Sequence, residues 1–190
     1  MTLLRRVLVL SFAIIAAVGV GVMGRMSVAS SATAPVYSYT VSGSDAHPLD
    51  PHVGAMFTSG GGVEAVSLDS FSLRYLEVGL NLPVGAKVTS IAASYTDCYR
   101  GPGWETSPST ITFGSYAPTS GSTVSNATLT GTSCTLSTLT KTGNPIVTTV
   151  AGRRYVVDYN PALMSQYPGE HAGTFNGATV KYTCTSPCVP

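Results

Sequence analysis

Residues 73–96 read Leu-Arg-Tyr-Leu-Glu-Val-Gly-Leu-Asn-Leu-Pro-Val-Gly-Ala-Lys-Val-Thr-Ser-Ile-Ala-Ala-Ser-Tyr-Thr. From Leu76 to Leu82 every second residue is apolar, and Tyr75, Glu77, Gly79 and Asn81 alternate with them on the other face. That period of two marks a strand with one buried face. Pro83-Val84-Gly85-Ala86 then reverses the chain, because Pro fixes φ and Gly accepts the positive φ of a tight turn. A second extended run, Lys87 to Thr96, follows. The stretch predicts a β-hairpin or a sandwich corner.

Working outward, the same pattern recurs. Val36 to Val41 aligns Tyr37, Tyr39 and Val41 on one face, and Val53 to Thr58 reads as a short strand before Ser59-Gly60-Gly61-Gly62. Residues 42–51 read as a loop, as do 97–108 and 160–173. In residues 106–149, 22 of 44 positions are Ser or Thr, a density that suggests a mucin-like stalk. Ile111, Phe113, Val124, Leu129, Leu136, Leu139, Ile146 and Val147 recur through it, so it reads instead as threonine-rich strands. Arg154 to Tyr159 aligns Tyr155, Val157 and Tyr159, and Thr174 to Thr183 aligns Ala178, Val180 and Tyr182. No stretch of a dozen residues keeps a 3.6-residue period. Eight or so short strands with regular turn signals predict an all-β fold, a single antiparallel β-sandwich of jelly-roll or Ig-like type.

The N-terminus sets the expected compartment. Arg5 and Arg6 precede an apolar run from Val7 to Met23, and small residues follow in Ser27-Val28-Ala29-Ser30-Ser31-Ala32. Residues 1–32 therefore read as a signal peptide and 33–190 as the sandwich domain. The alternative is an uncleaved anchor, the one route by which a membrane would enter, but Gly19, Gly21 and Gly24 weaken its helix. Without residues 1–32 the chain keeps seven Lys and Arg against nine Asp and Glu, a net charge of −2. A nucleic-acid binder needs a basic stripe, so that class is excluded.

Four cysteines, Cys98, Cys134, Cys184 and Cys188, stand behind the signal segment. An even count in a secreted chain predicts two disulfides. Three connectivities are open; the reading leans to Cys98–Cys134 with Cys184–Cys188, since the last two are close and Pro187 bends the segment between them. The spacing is not that of a structural zinc site.

The run Leu82-Pro83-Val84-Gly85-Ala86-Lys87-Val88-Thr89-Ser90-Ile91 resembles the corner of bacterial secreted jelly-roll-like sandwich domains. Arg154-Tyr155-Val156-Val157 and Gly177-Ala178-Thr179-Val180-Lys181-Tyr182-Thr183 are similar to the closing strands of such domains. The resemblance implies an extracellular β-sandwich. It brings no catalytic residues, and fold does not fix function.

The sequence has no Gly-x-Ser-x-Gly elbow, phosphate loop, dinucleotide fingerprint or His-Glu-x-x-His, so no catalytic activity and no cofactor are expected. Asp45, His47, Asp50 and His52 form the densest polar group, but Pro48 and Pro51 hold it extended and splay the side chains, so no metal is expected. Glu77 and Asp158 lie on polar strand faces and are the carboxylates a small carbohydrate-active enzyme would use. Tyr99, Trp104 and Tyr116, in or beside loops, offer rings for stacking on sugars. The expectation is a secreted or cell-surface module that binds a polysaccharide or cell-envelope component. A self-associating surface subunit is the alternative, because charge is scarce along the strand edges.

Overall fold

A computed structural model describes residues 33–49, 51–67, 75–97, 108–161 and 171–184. The chain divides into two units, Met1–Thr33 and Ala34–Pro190, and every strand below belongs to the second. Among the described residues eleven strands follow in order: β1 Val36–Ser42, β2 His47–Pro48, β3 Val53–Phe57, β4 Val63–Ser67, β5 Leu76–Leu80, β6 Lys87–Asp97, β7 Ser109–Tyr116, β8 Thr123–Gly131, β9 Ser133–Thr148, β10 Arg154–Asn160 and β11 His171–Thr183. Three more appear than the turn signals suggest. One is the two-residue β2, which ends on Pro48 where the sequence reads as loop.

Two antiparallel sheets form. The six-stranded sheet runs β3-β4-β11-β6-β9, with β1 also paired to β11. The five-stranded sheet runs β2-β5-β10-β7-β8. Strands β5 and β6 fall in different sheets, so the Pro83–Ala86 turn is a sandwich corner and not a hairpin. Gly85 there has φ +81°. Thr149 locks the corner from 63 positions away: its hydroxyl accepts the Ala86 N–H at 2.9 Å and donates to the Pro83 carbonyl. Thr149 is itself buried, so each of those groups would otherwise lack water.

The alternating residues of both sheets meet in one core. Leu76, Val78, Tyr155, Val157, Tyr159, Ile111 and Phe113 come from the five-stranded sheet, and Val88, Ile91, Ala93, Tyr95, Phe175 and Val180 from the six-stranded one. Tyr159 and Phe175 stack across the layers with ring centroids 5.5 Å apart. The Tyr159 hydroxyl reaches Ser109 Oγ at 3.3 Å, giving a buried phenol a partner. The Ser/Thr-rich segment forms β7, β8 and β9, with threonines on the outer faces. Cys134 and Cys184 are both disulfide-bonded; Cys98 and Cys188 lie outside the described residues. No helix among the described residues is long and apolar enough to cross a membrane.

Candidate functional site

The pleat that sends Leu76, Val78 and Leu80 inward sends Glu77 and Gly79 outward, and the other strands of this sheet do the same. Register then sets the outer face. One row crosses the sheet as His47↔Glu77↔Asp158↔Thr112↔Thr128. The next row is Gly79↔Val156↔Gly114↔Ser125, and beyond it come Arg154↔Tyr116↔Thr123. The middle row is low because two of its members have no side chain. A trough results, walled by the acids on one side and by Tyr116 and Arg154 on the other, rows lying roughly 7 Å apart along the strands.

This trough is an open groove of about 550 Å³, lined among others by Leu49, Tyr75, Tyr116, Val156, Glu77 and Asp158. An adjoining hollow of about 460 Å³ shares Glu77, Tyr116 and Val156 and adds Tyr39, His47, Asn81 and Arg154. Both volumes fall within the ~300–1,000 Å³ of small-molecule sites. Val124, which also lines the groove, is an exposed large apolar residue.

The electrostatics centre on the cross-strand pair Glu77 and Asp158. Burial pushes the Asp158 carboxyl up to about 6, and the neighbouring Glu77 carboxylate adds to the rise. Asp158 Oδ1 is buried and finds no hydrogen-bond partner among the described residues, and the same holds for Asn160 Oδ1 on the same face of β10. The Glu77 side chain is 15% exposed and has His47 Nε2 at 3.9 Å; His47 is 61% exposed. At the groove's end Arg153 braces the β7–β8 turn, donating from Nε to Ser115 Oγ at 3.1 Å and from Nη2 to the carbonyls of Ser115 and Ser122.

Of the aromatic residues singled out from sequence, Tyr116 lines both hollows, while Tyr99 and Trp104 lie outside the described residues. The second groove ring is Tyr75, which the sequence placed on one face with Glu77 and Asn81. Asp45, His47, Asp50 and His52 were the suggested ligand set. The Asp45 carboxylate accepts the Ser42 N–H at 3.0 Å, and His47 turns to Glu77. Asp50 lies outside the described residues, and no metal-holding group of three or more His, Cys, Asp or Glu occurs among those described.

No protein-family model and no curated protein sequence matches the chain. Solved structures are similar in fold. The CBM22-1 xylan-binding domain from Paenibacillus barcinonensis Xyn10C superposes with a TM-score of 0.51 at 11% identity, covering 81% of this chain and 98% of that one. The CBM36-1 domain of a multidomain xylanase from the hindgut metagenome of Trinervitermes trinervoides gives 0.46 at 7% identity, over 76% and 96%. A family 35 carbohydrate binding module from Clostridium thermocellum gives 0.45 at 12%, over 76% and 97%. The chain is a jelly-roll-like β-sandwich.

Proposed function

We propose that this protein is a secreted, non-catalytic polysaccharide-binding module whose site is the groove across the outer face of the five-stranded sheet. One observation carries the reading: the Gly79-Val156-Gly114 trough has Tyr75 and Tyr116 at its sides and hydroxyl, carboxylate and guanidinium groups along its walls. Sugar rings present C–H faces to aromatic rings and hydroxyls to polar edges, and this lining offers both. The fold shared with a xylan-binding domain supports it. Tyr99 and Trp104 remain candidates for extending the surface.

The same geometry speaks against hydrolysis. Glycoside cleavage places two carboxyls about 5–10 Å apart on either side of the scissile bond. Glu77 and Asp158 stand side by side in one row, so a chain lying in the trough meets both from the same wall. For the cysteines we propose Cys98–Cys134 and Cys184–Cys188; the antiparallel Asp97↔Ser133 pairing of β6 with β9 brings the chain segments of the first two close together. Mass spectrometry of an unreduced digest checks it.

The test is retention of the purified protein on insoluble xylan, cellulose and chitin, with Tyr116→Ala beside it. Retention that Tyr116→Ala reduces roughly tenfold, about 1.4 kcal/mol, upholds the groove. Retention unchanged by that variant moves the site elsewhere, and no retention on any polymer overturns the reading.

Self-association is the second reading, because β9 ends the six-stranded sheet as a 16-residue strand with Lys141 as its one charge. Leu136 on it is 66% exposed, and the opposite edge strand β3 exposes Met56 and Phe57. Long edges of this kind template strand addition. Sedimentation velocity over a concentration series decides it: a monomer at every concentration removes it.

A further inference from the structure

Directly opposed carboxylates on neighbouring strands repel, and a protein that keeps such a pair half out of water gives up stability. Glu77 and Asp158 are such a pair, on the groove wall and in direct cross-strand register, with one buried Asp158 oxygen lacking a hydrogen-bond partner among the described residues. The other charged and titratable groups of the two hollows do not neutralise both acids. His47 on β2 reaches only Glu77, at 3.9 Å, and is mostly in water. Arg154 on β10 stands on the far wall, two strand positions beyond Val156, and is exposed. Tyr75, Tyr39 on β1 and Tyr116 on β7 bring hydroxyls and no cation.

We propose that the groove selects a glycan bearing a positive charge, an amino sugar whose free ammonium sits between Glu77 and Asp158. The inference rests on the groove being the glycan site and names the class of sugar it takes. Ionised carboxylates only accept hydrogen bonds, and an ammonium brings three donors where a hydroxyl brings one. Charge-assisted bonds of this kind are about twice as strong as neutral ones. The cation also offsets the repulsion from Glu77, which adds to the effect of burial in raising the Asp158 carboxyl. Calcium is the poorer fit, since it takes 6–8 oxygen ligands and two carboxylates with a histidine do not supply them.

Three hexasaccharides of the same β-1,4 backbone isolate the charge: the glucosamine oligomer, its N-acetylated form and cellohexaose. Isothermal titration at neutral pH is expected to show the glucosamine hexamer binding roughly tenfold more tightly than either neutral chain. In Glu77→Gln and in Asp158→Asn the ratio of cationic to neutral affinity falls toward one. These carboxamides keep the side-chain shape, and thermal melts confirm that they fold. Equal or tighter binding of the neutral chains overturns the inference and leaves the groove reading standing. A preference that survives both variants overturns it too, as does a melting-temperature rise with calcium alone that Asp158→Asn abolishes. Failure of all three oligomers to bind overturns the inference, while retention on xylan, cellulose or chitin decides the groove reading by itself.

Discussion

The two sheets share a core and differ on their outer faces. On the six-stranded sheet, hydroxyls answer one another: Thr40 and Thr179 hydrogen-bond at 3.0 Å, and Ser94 and Thr138 at 2.9 Å. On the five-stranded sheet Ser125 and Thr128 pair at 3.3 Å, but Asp158 Oδ1 and Asn160 Oδ1 are buried without a hydrogen-bond partner among the described residues. A face whose polar groups satisfy each other has little left to offer a ligand. A face that leaves them unsatisfied pays in stability for what it can bind. The first sheet serves as scaffold and the second holds the proposed site, and this contrast can be broken at chosen residues.

The largest effect falls on the scaffold. Gly177 sits in a β-bulge of β11 with φ +134°, and an added Cβ would lie 2.5 Å from the Val41 carbonyl oxygen. Gly177→Val is expected to cost about 3 kcal/mol or more through strain and clash, measured by urea denaturation, while Val at a tolerant site would cost little. Gly114→Leu is its counterpart on the other sheet. A Cβ there meets only ordinary contacts, the nearest at 3.4 Å on the Val124 carbonyl oxygen. The variant is expected to stay within about 1 kcal/mol of the parent in stability and to lose glycan retention roughly tenfold or more by filling the trough.

Asp158→Asn sharpens the contrast through pH. The folded carboxyl titrates at about 6, above the 3.8 of an ordinary aspartate. Between those values the folded state holds more protons than the unfolded one, so this residue's contribution to stability declines as pH rises and is lowest above 6. Water in the groove screens part of the effect, leaving about 1 kcal/mol. The variant is therefore expected to melt about 2–4 °C higher near neutral pH and to gain nothing near pH ~4. A gain of the same size at both pH values would count against the carboxylate repulsion. The smallest effect belongs to Thr40→Val, which removes one exposed cross-strand hydroxyl pair and is expected to change stability by less than about 0.5 kcal/mol.

How far this was legible depends on distance along the chain. The alternation of Leu76, Val78 and Leu80, the Pro83–Ala86 corner and the Tyr155-Val157-Tyr159 face are local, and each appears in the structure with the faces the pattern predicts. The β-strand content of the Ser/Thr-rich segment was legible for the same reason, since apolar residues recur along it. The groove was not. It depends on Glu77 meeting Asp158, 81 positions on, and on Gly79 and Gly114 flanking Val156, a relation that exists only once β5, β10 and β7 are in register. Read singly, those glycines are weak strand residues and those acids solvated ones. Sequence reasoning looked for rings in loops and reached Tyr116, but its groove partner Tyr75 immediately precedes a strand and looked like part of its polar face.

Strand β11 is hydrogen-bonded to β1, β4 and β6, and the Thr40–Thr179 contact closes a span of 139 positions. Bringing such distant segments together costs loop-closure entropy before any pairing offsets it. The six-stranded sheet therefore cannot be completed in the order in which the chain is made, because three earlier strands wait for their common neighbour. Folding is a late event, on the millisecond-to-second scale of β proteins rich in non-local contacts. Until β11 arrives, the inner faces of β4 and β6 stay open to whatever else is nearby.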